Sequence, residues 1–266
     1  MAQQERAIRT RELILKAAGA VFAERGYDGA TISDVYSRAG LTKGAFYFHF
    51  SSKEDLAEAI LEVQVVPGTY PIVRRSLKLQ ELVDAGLVFG HRLMHDQMLQ
   101  GSVSLSLERG AHQLDRRRPF LAWADHNLVG LTEASEQGEL YQCVDLRATA
   151  ELLVGAFSGV QMLSHVLSDR RDLTQRLSVL LTQLLPTITV PGVLARLDLT
   201  ADRGERVVAE AEALAGAGAL PGAGGRAVAP VEAPTGEAGP GGPPPGPGTA
   251  APLGGAHARQ CRSGCR

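Results

Sequence analysis

Four side chains able to donate to phosphate oxygens, Lys43, Tyr47, His49 and Lys53, fall within residues 31–53, TISDVYSRAGLTKGAFYFHFSSK. Two ammonium groups, a phenol and an imidazole gathered this closely suit contacts to a nucleic-acid backbone, and Lys43 can also reach a guanine edge. Other chemistry-bearing residues are less well placed. His91 and His95 stand at i, i+4 and could share a metal, but no third ligand stands at a readable spacing, and a solvated helix face accounts for them as well. Cys261 and Cys265 form a lone C-x3-C after His257 in a polar tail, and Cys143 makes the count odd, so no disulfide framework or zinc site is spelled out. A Gly-rich phosphate loop, a G-x-S-x-G elbow and an H-E-x-x-H pair are absent. No enzyme, cofactor or metal is expected.

The elements that must hold the phosphate-donating residues can be read from caps and spacing. Thr31 is a good N-cap for a helix from about Ile32 to Ala39, which Gly40 ends. Thr42 caps a second helix that begins Lys43, Gly44, Ala45 and buries Phe46 and Phe50, four apart on one face. Lys43, Gly44, Tyr47 and His49 are then left outside, and the bare Gly44 and small Ala45 allow close approach to a partner. Lys53 opens the next helix, capped by Ser51 or Ser52, where its charge adds to the positive end of the helix dipole. Before all of this, residues 7–25 carry Ile8, Leu13, Ala17, Ala18, Val21 and Phe22 at helical spacing, with Gly26 as the stop. Its other face holds Arg6, Arg9, Arg11 and Lys16, suited to flanking phosphates or simply to water. The arrangement is that of a helix-turn-helix whose second helix enters the DNA major groove.

Charge is divided along the chain. Residues 1–53 hold eight Lys and Arg against five Asp and Glu, whereas residues 54–215 hold 15 against 22, beneath an overall net charge of −2. A basic tip on an acidic body suits a protein that presents one end to a polyanion. The N-terminus lacks the apolar run of a signal peptide, and no run of about 18 apolar residues is evident, so the expectation is a cytoplasmic protein at the nucleoid, without a membrane partner.

The body reads as helical throughout, which makes the fold all-α. Expected helices cover Ser52 to about Val66, stopping near Pro67-Gly68, then 73–97 with a possible break at Leu79, 101–113, 120–137, 146–168, 172–185 and 193–214. The helices over 146–168 and 172–185 are apolar on most of their circumference, the pattern of a subunit interface as well as of a core. Nine of the 14 prolines lie between Pro221 and Pro252, so residues 215–266 are expected to form a disordered Gly/Pro/Ala-rich tail. The expected organisation is a DNA-binding domain over 5–53, a ligand-binding and dimerisation domain over 54–214, and this tail.

These residues resemble the TetR family of transcriptional repressors. The resemblance is carried by AERG at 23–26, Tyr27, Thr31, the Ala39-Gly40-Leu41 turn, the run Thr42 to Phe50, and Ser52-Lys53-Glu54. Tyr36 departs from the small residue often found at its place. Within the family, the recognition run together with Gln64 and the lone Trp123 is similar to the γ-butyrolactone autoregulator receptors, which govern antibiotic production and differentiation. The resemblance implies a homodimer that binds double-stranded DNA at a palindromic operator through Thr42, Lys43, Gly44, Ala45, Tyr47, His49 and Lys53. It also implies a small lactone inducer held by Gln64, Trp123 and Ser158, with Val88, Leu128 and Met162 as apolar neighbours. Inducer binding would swing the Ser52–Val66 helix and release DNA. Other readings are a pseudo-receptor of the same family that answers an antibiotic or a biosynthetic intermediate, and an architectural binder with no cavity.

Overall fold

Side-chain oxygens of Thr31, Thr42, Ser52, Asp96 and Asp145 each satisfy the first free N–H groups of the helix they open. The computed structural model describes residues 2–64, 73–108 and 114–216. Over these residues it has eleven α-helices, one 3-10 turn and no strand beyond a single bridge between Leu140 and Thr189. The first helix, α1 (Ala2–Gly29), is broken at Gly26, whose φ of 68° is one that glycine adopts without strain. Next come α2 (Ile32–Arg38), α3 (Lys43–His49) and α4 (Lys53–Glu62). Ile14, Ala18 and Phe22 of α1, Val35, Phe46, Phe50, Leu56 and Ile60 form their shared core, which Leu105 joins from farther along.

A second core gathers the rest: α5 (Lys78–His95), α6 (Gln97–Leu107), α7 (Arg118–Glu136), α8 (Leu146–Ser168) and α9 (Leu173–Leu184), the 3-10 turn Leu185–Thr187 and α10 (Pro191–Leu194). A smaller third core, Val73, Val88, Val207 and Ala211, seats α11 (Arg203–Gly216) on α5. Beside it Asp84 is buried and accepts from the guanidinium groups of both Arg75 and Arg203, while Arg75 also reaches Glu210 at 2.6 Å. One buried carboxylate between two arginines thus straps α11 across α5, avoiding the cost of an unpaired buried charge.

The two larger cores meet where α1 crosses α6 at glycine. A Cβ on Gly101 would stand 2.2 Å from the Gly19 carbonyl oxygen, and one on Gly19 would stand 2.4 Å from the Met98 Cα. Only bare backbone permits this approach.

Several expected boundaries are corrected. The helix expected over 73–97 begins at Lys78, because the Glu139 carboxylate accepts from the Lys78 and Leu79 amides at 2.8 Å each and so fixes the first turn. The helix expected over 193–214 is two, α10 and α11. Gln80 pins the segment between them by bonding both the Asp198 amide and its carbonyl. The Ser52–Val66 helix ends at Glu62, with Gln64 in the turn that follows. The stop at Pro67-Gly68, residues 109–113 of the expected 101–113 helix, and the tail from residue 217 with Cys261 and Cys265 lie outside the described residues. Contrary to the reading of the sequence, one helix among the described residues, α8, is long and apolar enough to cross a membrane, though by length and composition only.

Candidate DNA-reading and effector sites

The side chains expected at DNA ride on short helices with local caps. On α2, Thr31 Oγ1 accepts from the Asp34 amide at 3.1 Å and Asp34 Oδ2 accepts from the Thr31 amide at 3.0 Å, a reciprocal capping box. Arg25 and Arg38 tether the same helix to its surroundings, pairing with Asp34 at 2.8 Å and Glu24 at 2.7 Å. Gly40, at a φ of 67°, turns the chain toward Thr42, whose hydroxyl accepts from the Ala45 amide and starts α3. Tyr36 packs partly buried against this core and accepts from the Ser33 hydroxyl at 3.0 Å, so the larger residue is accommodated at the helix edge.

Phe46 of α3 and Phe50, just past its end, are buried with ring centres 5.9 Å apart, and the Arg11 guanidinium lies over Phe50. Thr42, Lys43, Gly44 and Tyr47 are exposed, and Ala45 and His49 are half-buried. No atom lies within 4 Å of a Cβ built at Gly44, so that flank of α3 is open. Phe48 is 79% exposed, an aromatic ring with no core role on the presented surface. The sequence reading assigned it no role, having placed only Phe46 and Phe50, four apart, on the buried face.

Lys53 is placed differently from the others. Its Nζ stands 4.4 Å from the centre of the Tyr27 ring, at the start of α4, where Ser52 caps by accepting from the Asp55 amide. Tyr27 is a hub. Its hydroxyl donates to Glu54 at 3.0 Å, and its amide, exposed by the break at Gly26, donates to the Glu108 carboxylate at 2.6 Å. Burial, and then the hydrogen bond to Glu54, push the Tyr27 phenol up to about 12, so it remains a neutral donor at any working pH. Glu108 follows α6 directly, so one carboxylate joins the end of that helix to the break in α1.

Helices α5 to α9 enclose an apolar cavity of about 110 Å³. Leu79, Val83 and Phe89 of α5, Val103 and Ser106 of α6, Trp123 and Asn127 of α7, Phe157, Ser158 and Gln161 of α8, and Leu177 and Leu181 of α9 all line it. Phe89 stands edge-on to both Trp123 and Phe157, with centroids 5.1 and 5.2 Å apart, and the three rings form one wall. The structure thus brings the sequence-predicted Gln64, Trp123 and Ser158 to one cavity, with different degrees of freedom. Gln64 is buried and its Nε2 donates to Ser102 at 2.9 Å, while Ser102 donates to the Leu61 carbonyl, so this amide ties the end of α4 to α6. The Ser158 hydroxyl is turned back onto the Val154 carbonyl of its own helix at 2.8 Å. The expected neighbours Val88, Leu128 and Met162 do not line the cavity: Val88 packs toward α11, Leu128 packs into the second core, and Met162 faces outward. Gln161 and Asn127 were not foreseen, because among the polar residues of long helices nothing in the sequence marks those that face a void.

His91 and His95 face a separate cleft with Asp202 and Glu205, their ring centres 5.2 Å apart. Among the described residues no group of three or more His, Cys, Asp and Glu could hold a metal ion. Burial, and then His95, hold His91 below the usual imidazole value.

Residues 14–60 match the family model described as bacterial regulatory proteins, tetR family. Over 216 residues the chain is 37% identical to the A-factor receptor protein of Streptomyces griseus, covering 79% of this chain and 77% of that protein. The chain belongs to the TetR family. Among solved structures of TetR-family regulators, TylP of Streptomyces fradiae is 42% identical and superposes with a TM-score of 0.72, over 77% of this chain and 99% of that one. A structure described as a γ-butyrolactone receptor (ArpA-like protein) is 26% identical, with a TM-score of 0.55 over 77% and 98% of the respective chains. As a family member the chain is a helix-turn-helix DNA-binding regulator of transcription.

Proposed function

We propose that this regulator is a repressor that binds a palindromic operator as a homodimer and leaves it when a small γ-butyrolactone-type signal enters the cavity. Residues 5–53 serve as the DNA-binding domain and residues 54–214 as the domain for signal and partner. Thr42, Lys43, Gly44, Ala45, Tyr47 and His49 meet DNA with Phe48 beside them, and Lys53 reaches phosphate from its place over Tyr27. One α3 reads only a few base pairs, so specificity calls for two copies on two half-sites. The second copy finds a surface on α8 and α9, where Leu152, Met162, Leu163, Val166, Leu167 and Val179 are exposed. A self-complementary helix pair burying that face accounts for the apolarity of α8 without a membrane, and supports a cytoplasmic place.

The observation that carries the reading is the placement of α4 between the two sites. Lys53 begins it on the DNA side, and Gln64, just past its end, lines the cavity. An effector that favours a different cavity shape shifts α4, and with it the spacing of the two α3 helices. The resemblance to butyrolactone receptors supports a lactone as the signal and genes of antibiotic production or differentiation as the targets. A mobility shift on a palindromic promoter fragment tests this: the protein retards the fragment and a γ-butyrolactone releases it. A lactone that demonstrably binds the protein while leaving the DNA complex intact overturns the reading.

A further inference from the structure

The cavity wall holds a polar group that the protein itself does not use. Gln161 of α8 is 3% exposed, and its Oε1 has no hydrogen-bond partner. Neighbouring polar side chains along the cavity are committed within the protein. The Ser106 hydroxyl donates to the Val103 carbonyl at 2.8 Å, the Ser158 hydroxyl to Val154 at 2.8 Å, and the Asn127 amide to Ala150 at 3.3 Å. A buried amide oxygen without a donor lowers the stability of the state that contains it. That cost is removed in any state where the cavity content supplies the missing donor.

We propose that Gln161 Oε1 accepts a hydrogen bond from a hydroxyl group of the bound effector, and so selects hydroxylated effectors over analogues that only accept. The inference rests on the reading of this cavity as the effector site. A hydroxyl fits because it donates to Oε1 and its own oxygen can still accept from an amide N–H. An ether or ketone oxygen offers nothing to Oε1 and leaves it orphaned. The rest of the slot, walled by Phe89, Trp123 and Phe157, takes the apolar chain of such a molecule.

The test uses the full chain and its Gln161→Met variant, which keeps volume and removes the amide. Trp123 is the only tryptophan and lines the cavity, so its fluorescence follows binding there. The probes are a γ-butyrolactone with a hydroxyalkyl chain and the same lactone as its O-methyl ether. The unsubstituted protein prefers the hydroxyl form by about tenfold, and the Gln161→Met variant binds the two within about twofold. Without ligand, the variant melts at or above the unsubstituted protein, because an orphaned polar group has been replaced by an apolar one. A preference for the hydroxyl form that survives in the variant overturns the proposal. So does a variant that melts lower and loses both probes equally, since Gln161 is then structural. If neither lactone binds the unsubstituted protein, it is the lactone reading that fails. The same comparison with 1-decanol and its methyl ether then decides the amide by itself, and no Gln161-dependent preference for the alcohol overturns the proposal on its own.

Discussion

The helix-turn-helix end and the cavity-bearing body satisfy their polar groups in different ways. Around α2, α3 and α4, the caps come from residues within a few positions of the amides they serve: Thr31 with Asp34, Thr42 with Ala45, and Ser52 with Asp55. In the body local caps at Asp96 and Asp145 are joined by distant partners, as with Glu139 on the start of α5, Gln80 on Asp198, and Arg203 on Asp84, and in the cavity wall Gln161 Oε1 goes unserved. The caps of the first end are written locally. The second is held by long-range contacts and keeps an unmet group where a ligand can meet it.

The strongest challenge to this contrast lies where the two ends touch. Gly101→Val drives a side chain into the Gly19 backbone and is expected to cost about 3 kcal/mol, measured by chemical denaturation. Both ends should be lost in one transition. Two separated transitions would mean that the ends are stabilised independently of the glycine crossing. A smaller effect isolates the reading surface: Phe48→Ala leaves the melting temperature unchanged, because the ring is exposed, yet weakens operator binding by about tenfold, or ~1.4 kcal/mol. Unchanged affinity would remove Phe48 from the interface. The smallest concerns acid. His91 is held below its ordinary value, so its contribution to stability is complete above about pH 6.5 and is lost as pH falls from there through the depressed value. Replacing it, His91→Gln, should reduce the drop in melting temperature between pH 7 and 5.5 by about 2 °C. An unaltered drop assigns the acid sensitivity to other groups, with His95, Asp202 and Glu205 beside it the nearest to test.

The same contrast explains what could be read in advance. Thr31, Gly40, Thr42, Phe46 and Phe50 were legible because caps, stops and an i, i+4 pair are written in adjacent residues. Helix α8 was legible from its apolar run over 146–168, and in the structure Asp145 caps its start while Asp169 ends it in a left-handed conformation. The start of α5 was not, since it depends on Glu139, 60 residues from Leu79. Trp123, Gln64 and Ser158 were placed at the cavity only through the family resemblance. Their spacing shows no void, and nothing in it tells that the Ser158 hydroxyl folds back on Val154.

The clasp at Tyr27 bears on how such a regulator can be recombined. Grafting the DNA-reading end onto the body of a relative brings across a helix broken at Gly26 and a bare Tyr27 amide, but leaves behind the Glu108 carboxylate that accepts from it. It also leaves behind Gly101, without which α1 cannot lie down. A working chimera therefore has to import a glutamate and a glycine from the cavity-bearing half, or choose a recipient that already has both. The portable unit is a set of contacts, larger than the run of sequence that spells the helix-turn-helix.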